Sequence, residues 1–151
     1  LPFAAGSLEL VFCQFALLWM PAEAALDEVR RVLVPGGALI ALEPDYGGLI
    51  EAPQELAVRE IWLSALGRAG ADPLVGRRLP GWLEARGFQV RVELLPELEP
   101  AEPARFAFLR DLPLEPAERA ALEAAAAADR GRRGWGRLAH LPVFLVRAIR
   151  P

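Results

Sequence analysis

The sequence predicts an α/β fold, and three segments near its start carry that prediction. Residues 8–15 form an almost continuous apolar run, which is typical of a strand inside a parallel sheet covered on both faces. After Pro21, apolar residues recur at helical spacing, and a proline and two glycines within residues 34–37 are expected to end that helix. Residues 38–43 form a second apolar strand. A strand, a helix and a strand in this order predict a right-handed crossover.

The remaining elements follow from the same periodicities. Residues 88–94 alternate between apolar and polar side chains, so we expect a strand with one wet face at an edge of the sheet. A last strand is predicted over 141–149. Helices are predicted over 54–68, 77–86, 104–112 and 116–130, with a loop at 44–53 and a spacer rich in proline and glutamate at 95–103. A single domain over residues 1–151 is expected.

Composition excludes several classes of function. The chain has 151 residues, 54% of them hydrophobic and 25% charged, which indicates a folded protein. Its formal charge of −3 gives no basic surface for nucleic acid. The longest apolar run is far too short to span a membrane, and we expect a cytoplasmic protein. One cysteine and one histidine make neither an internal disulfide nor a zinc site. No serine lies in a G-x-S-x-G motif, so a hydrolase triad is not expected.

Two motifs point to a known family. The chain begins Leu1-Pro2-Phe3, with Gly6-Ser7 just before the first strand, and its first helix runs into Arg31-Val32-Leu33-x-Pro35-Gly36-Gly37. This pattern resembles the class I S-adenosylmethionine-dependent methyltransferases. The chain departs from the family at Ala5, Leu8 and Glu9, where the family has Asp, Phe and Asp. The stretch from Gly76 to Phe88 also resembles the family, so the likeness covers nearly the whole chain.

The resemblance implies a fold and a cofactor. The fold would be a partial Rossmann-like methyltransferase fold, a mixed four-stranded sheet in the family's order 4-5-7-6, with its last strand antiparallel and helices on its faces. The family binds S-adenosylmethionine on a Gly-rich turn after its first strand, and no such motif follows any strand here. We therefore expect the C-terminal portion of a methyltransferase, with weak or no cofactor binding by this chain alone. Residues 44–75 would form a lid or insertion on the side of the methyl acceptor.

Cys13, Gln14 and Phe15 are the candidate cofactor-binding residues, because they end the first strand, where open α/β sheets bind ligands. Gln14 is the better ligand, since Cys13 and Phe15 also fit a packed core. The first strand lacks the neighbour that the family places beside it. Because an open strand edge invites pairing, we expect a homodimer joined through that edge.

The candidate residues for binding a small-molecule methyl acceptor lie after the second strand. Glu43 and Asp45 would share a face and could orient the acceptor or remove a proton, although a solvated strand end fits them equally well. Tyr46 and Trp62 could line the acceptor pocket, and the helical spacing of Trp62 also fits a core residue. His140 is interpreted as structural or exposed. No site for a metal ion is expected.

Two functions from different classes follow. The first is the C-terminal portion of an S-adenosylmethionine-dependent methyltransferase acting on a small-molecule acceptor. The alternative is a non-catalytic half-domain that functions only through homo-oligomerisation. A weaker hypothesis is an anion-binding loop, formed by four arginines: Arg130, Arg132, Arg133 and Arg137.

Overall fold

A computed structural model describes residues 1–95 and 98–151 of the chain. In chain order the strands and helices are β1 (Leu8–Gln14), α1 (Ala22–Val32), β2 (Leu33–Pro44), β3 (Ile50–Ala52), α2 (Arg59–Arg68), α3 (Val75–Glu84), β4 (Gln89–Leu94), α4 (Arg105–Arg110), α5 (Pro116–Asp129), β5 (Leu138–His140) and β6 (Val143–Ile149). They form two compact units. The sheet unit contains Leu1–Asp45, Leu74–Leu95 and Val143–Pro151, and the helical unit contains Tyr46–Pro73 and the described part of Pro96–Pro142.

The sheet unit is built on four strands in the order β1-β2-β6-β4. Strand β1 runs parallel to β2, whereas β6 is antiparallel to both of its neighbours. This arrangement confirms the predicted fold class and strand order. It also confirms that the alternating strand, β4, lies at an edge. The other edge is β1, which pairs with β2 alone among the described strands.

Helices α1 and α3 cover one face of this sheet. Leu39 and Ala41 of β2 and Val146 of β6 point to that face and have no exposed surface. Helix α1 contributes Leu26 and α3 contributes Leu79, which are equally buried, because both helices carry their apolar residues on a single stripe. The hydrophobic core of the sheet unit therefore lies between these two helices and the sheet.

One contact in that core depends on glycine. Gly76 lies in the first turn of α3, where the helix crosses the end of β2. A Cβ atom at this position would lie 2.8 Å from the carbonyl oxygen of Pro44 and 2.9 Å from that of Glu43. Only a residue without a side chain allows the helix and the strand to approach this closely.

The position of β1 differs from the sequence prediction. Its continuous apolar pattern predicted burial on both faces, yet Leu10 and Phe12 are 57% and 59% exposed. They alternate with Val11 and Cys13, which are half-buried on the opposite face of the strand. Strand β1 is therefore apolar on both faces, but the described chain does not cover both of them.

The helical unit packs α2, α4 and α5 around a small core that contains Leu66, Leu109 and Leu122. Strands β3 and β5 pair as an antiparallel two-stranded sheet, which the sequence analysis did not predict. The segment predicted as a loop at 44–53 thus contains β3. The last strand was predicted over 141–149; it begins at Val143, and β5 precedes it as a separate element. Strands of three residues are too short to show an alternating pattern.

The boundaries of α2 also differ from the prediction. A helix was expected over 54–68, but α2 begins at Arg59, after a single 3₁₀ turn. The carboxylate of Glu51 accepts hydrogen bonds from the backbone N–H groups of Val58 and Arg59, at 2.8 and 2.9 Å. These bonds satisfy donors that a helix start leaves free, so a residue distant from the helix helps to fix where it begins.

Two expectations concern other parts of the chain. Within the predicted spacer at 95–103, residues 96 and 97 lie outside the described residues, and Pro100 forms an isolated antiparallel bridge with Leu138. Among the described residues, every helix is too short or too polar to cross a membrane.

Candidate functional site

The carboxyl end of β1 carries the predicted cofactor-binding residues. Gln14 is exposed at the last position of the strand, and Cys13 is half-buried. Phe15 follows with a φ of 49°, which residues other than glycine rarely adopt. Its N–H donates to the carbonyl of Leu42 at 2.9 Å. An unfavourable backbone angle next to the ligand end of a strand is a feature of binding sites. Of the three residues, Gln14 presents the accessible polar side chain.

Glu43 lies one residue before the end of the adjacent strand, β2, and is completely buried. Its Oε1 atom accepts hydrogen bonds from the backbone N–H groups of Ala16 and Leu17, at 3.1 and 2.9 Å. Its Oε2 atom has no hydrogen-bond partner within the described chain. Burial raises the pKa of Glu43, although the backbone donors oppose this effect. The carboxylate therefore fastens the turn that follows β1 to the end of β2.

Cys13 lies near this carboxylate and is held as a neutral thiol. Burial, together with the negative charge of Glu43, raises the pKa of Cys13 to about 12. Since the thiolate is the nucleophilic form, Cys13 is unsuited to nucleophilic chemistry at neutral pH.

Asp45 has a different partner from Glu43. Both of its carboxylate oxygens accept from Nε of Arg77, at 2.9 and 2.8 Å, and Nη2 of Arg77 lies 2.7 Å from Oδ2. The Asp45 side chain is 5% exposed, whereas that of Arg77 is 46% exposed. The two carboxylates that were predicted to act together thus bind separate groups: one holds backbone amides and the other a guanidinium.

The helical unit contains a pocket of about 230 Å³ with an aromatic wall. Tyr46 and Trp62 line it, with ring centroids 4.9 Å apart, and Trp62 also stacks on Phe108 at 5.6 Å. Trp62 is 7% exposed, so it is a core residue that also lines this pocket. Leu49 adds further apolar surface. Most of the lining is apolar, as is usual for sites that bind small organic molecules.

Three charged residues that were not predicted from the sequence also line this pocket: Glu51, Arg105 and the exposed Glu102. Glu51 and Arg105 form an ion pair, with 3.4 Å between Oε1 and Nη1, and their side chains are 3% and 13% exposed. They are 54 positions apart, on β3 and at the start of α4, and neither belongs to a recognisable motif. No periodicity or spacing in the sequence indicates that they meet.

Two of the four arginines of the proposed anion-binding loop already have carboxylate partners. Arg137 pairs with Asp129 at 3.0 Å and Arg132 pairs with Glu55 at 2.6 Å, while Arg130 and Arg133 are exposed. Each paired guanidinium already has its own carboxylate. His140 is half-buried on β5, opposite Ile50. Among the described residues, no group of three or more His, Cys, Asp and Glu side chains is placed to hold a metal ion.

Comparisons with known proteins agree with this architecture. A family model described as a methyltransferase domain matches residues 1–41. The malonyl-[acyl-carrier protein] O-methyltransferase of Alcanivorax borkumensis is 43% identical over 51 residues, which is 34% of this chain and 18% of that protein. The predicted resemblance to class I methyltransferases is confirmed.

Solved methyltransferase structures show the same fold over the full length of the chain. A putative methyltransferase from Bacillus halodurans matches with a TM-score of 0.65 and 16% identity, covering all of this chain and 68% of that one. A geranyl diphosphate methyltransferase in complex with S-adenosylmethionine matches with a TM-score of 0.57 and 13% identity, and 54% of it is covered. This complex supports S-adenosylmethionine as the cofactor of the class I methyltransferases. The chain spans about a fifth of the curated relative and about half to two thirds of these two solved structures.

The described residues fit only part of such a cofactor. At the ligand end of β1, Gln14 offers an exposed amide, but the neighbouring Glu43 carboxylate is turned to backbone N–H groups. Asp45 is occupied by Arg77. A carboxylate commonly binds the ribose hydroxyls of a nucleoside. Glu43 is completely buried, its unpaired Oε2 included, and the Asp45 side chain is 5% exposed, so neither of these described carboxylates is accessible to a ribose.

Proposed function

We propose that this chain is the C-terminal portion of an S-adenosylmethionine-dependent methyltransferase, located in the cytoplasm, that acts on a small-molecule acceptor. The observation that carries the proposal is the strand order β1-β2-β6-β4, in which β1 has a partner on one side only. The matched methyltransferases extend well beyond the part that this chain covers. Strand β1 thus has a free edge where further strands of such a domain can pair.

The roles of the residues follow from their places in the two units. Gln14 and the turn fastened by Glu43 would contact the methionine portion of the cofactor, and the aromatic pocket of the helical unit would hold the methyl acceptor. Bound S-adenosylmethionine supplies an electrophilic methyl group on its sulfonium. In such a transfer a protein contributes mainly through proximity and orientation of the reacting groups.

Calorimetry on two forms of the protein tests this proposal. The chain of residues 1–151 is titrated with S-adenosylmethionine beside a form extended by the codons upstream of Leu1. We expect saturable binding by the extended form alone. Micromolar binding by residues 1–151 would refute the proposal that part of the cofactor site lies elsewhere. Failure of the extended form to bind would refute the methyltransferase function itself.

A second candidate function is favoured by the exposed side chains of β1. Leu10 and Phe12 are more than half exposed next to an unpaired strand edge, which suits a homodimer formed by a non-catalytic half-domain. Sedimentation at micromolar concentration tests it. We expect a dimer that Phe12→Glu dissociates, whereas Val92→Glu, on the opposite edge strand, leaves it intact. A monomeric wild-type chain would exclude this function.

A further inference from the structure

The side chain of Arg105, in the aromatic pocket of the helical unit, is 13% exposed and makes few hydrogen bonds. A guanidinium has five N–H donors, and its charged hydrogen bonds are normally 2.7–2.9 Å long. In Arg105 the bond from Nη1 to Glu51 measures 3.4 Å and that from Nη2 to the carbonyl of Leu56 measures 3.3 Å. Its Nε atom is buried without a partner, and the guanidinium lies 4.5 Å from the ring centroid of Phe106. The positive charge is thus poorly compensated.

Glu51 is held in a way that prevents it from compensating Arg105 fully. Its Oε2 atom accepts the two short bonds from the N–H groups of Val58 and Arg59, so only Oε1 is directed to the guanidinium. Burial raises the pKa of Glu51 and lowers the pKa of Arg105, which means that the loss of hydration outweighs their attraction. Of the more distant charges, Asp129 favours the charged guanidinium and Arg137 opposes it.

The same pocket also offers an apolar surface on which an aromatic ring can pack. Tyr46 and Trp62 form one wall, and Leu49, Ala139 and Leu141 add aliphatic contacts. Glu102 completes the lining with an exposed side chain, and it is not among the charges that shift the pKa of Arg105. An apolar ligand that also carries an anionic oxygen would therefore stack on the aromatic wall and complete the coordination of Arg105. A neutral ligand of the same shape would leave the positive charge of Arg105 poorly compensated.

We propose that this pocket selects an aromatic carboxylate, and that Arg105 is the residue that recognises its negative charge. The identification of this carboxylate as the methyl acceptor rests on the proposed methyltransferase function, but its binding does not. Aromatic contacts would supply most of the affinity, and the guanidinium would discriminate between the carboxylate and a neutral analogue.

A matched pair of probes tests the proposal on the chain of residues 1–151 without any methyl donor. The probes are 3-phenylpropanoate and its neutral amide, 3-phenylpropanamide, and binding is measured by calorimetry and by chemical shifts of the Trp62 indole. We expect the carboxylate to bind at least about tenfold more tightly than the amide, as is usual for a hydrogen bond to a charged group. Arg105→Gln should abolish this preference. Equal affinity for the two probes, or no binding of either at millimolar concentration, would overturn the proposal.

Glu51→Gln provides an independent test with the opposite sign, which matters if Arg105→Gln does not fold. The amide oxygen of glutamine still accepts from Val58 and Arg59, but the competing negative charge is removed. The carboxylate probe should then bind several-fold more tightly, while the affinity of the amide probe should not change. Unchanged or weaker binding of the carboxylate would refute the role of Arg105. Because cofactor binding by the extended chain is measured separately, failure of this pocket is distinguishable from failure of the methyltransferase function.

Discussion

Replacement of Glu43 by leucine should destabilise the sheet unit, because it removes the acceptor of two backbone hydrogen bonds. The N–H groups of Ala16 and Leu17 would lose their partner, at a site where Glu43 has no exposed surface. A buried donor without a partner costs about 1–3 kcal/mol. The site of Ala16 is only partly buried, and removal of a buried carboxylate is itself favourable. A net loss of about 2–4 kcal/mol in the free energy of unfolding is therefore expected.

Glu43→Gln separates the hydrogen bonds from the charge. Glutamine retains an oxygen for the two N–H groups, so this variant should remain within about 1 kcal/mol of the wild type near pH 5. Burial raises the folded-state pKa of Glu43 above its ordinary value of 4.5. The folded state therefore holds this proton more tightly, and wild-type stability should fall as the pH rises from about 4.5 through the folded-state pKa. Glutamine does not titrate, so the stability of Glu43→Gln should not fall in this way. At pH 8 this variant should therefore be more stable than the wild type.

Urea denaturation followed by circular dichroism at pH 5 and pH 8 measures both effects. Glu84→Gln, on the exposed surface of α3, is the matched control and should leave the pH dependence unchanged. A loss below about 1 kcal/mol for Glu43→Leu would refute the role of the two hydrogen bonds. The same dependence on pH in the wild type and in Glu43→Gln would refute the argument from burial.

Three further predictions follow from the same structure. Gly76→Ala should destabilise the protein by about 1–3 kcal/mol, because its Cβ would lie within 3 Å of two carbonyl oxygens. In the same helix, a Cβ at Gly81 meets no atom within 4 Å, so Gly81→Ala should stabilise the protein by about 0.5–1 kcal/mol. Thermal denaturation measures both variants, and equal shifts in the two would contradict this prediction. Cys13, with a pKa raised to about 12, should react with iodoacetamide at pH 8 roughly a thousandfold more slowly in the folded protein than in 6 M guanidinium chloride, and similar rates would show that the thiol is not held neutral. The hydrogen bond from Arg31 lowers the pKa of Glu28 to about 2, so a carboxyl titration followed by NMR should show this low midpoint in the wild type and a higher one in Arg31→Gln; an unchanged midpoint would exclude the pairing.

The order of the elements was predictable because it depends on local patterns. The alternation of β4 identified an edge strand, and the helical spacing before Pro35 identified α1. The order of the strands in the sheet is not contained in any periodicity. It was implied by the resemblance to methyltransferases, to which the motif at 31–37 contributes. The short strands β3 and β5 were not predicted, since each contributes three residues and the described strand with which it pairs is distant in sequence.

The candidate site was predictable only in part. Tyr46 and Trp62 line one pocket. Their predicted role in binding the methyl acceptor remains a prediction, as do the proposed functions of Cys13, Gln14, Phe15, Glu43 and Asp45. The spacing of two positions predicted that Glu43 and Asp45 act together, whereas the fold gives each its own partner. No sequence pattern identified Glu51 or Arg105, which lie in unrelated segments.

Hydrophobic periodicity and short motifs are local properties of the chain, so the α/β class, the succession of strands and helices and the resemblance to methyltransferases could be inferred from the residues alone. The electrostatic environment of each ionisable side chain depends instead on the folded arrangement. Glu43 is fastened to two amides, Asp45 to a guanidinium, and Arg105 is buried beside Glu51 with incomplete compensation. Burial and the identity of a partner arise from contacts between segments far apart in sequence, and these contacts exist only once the chain has folded.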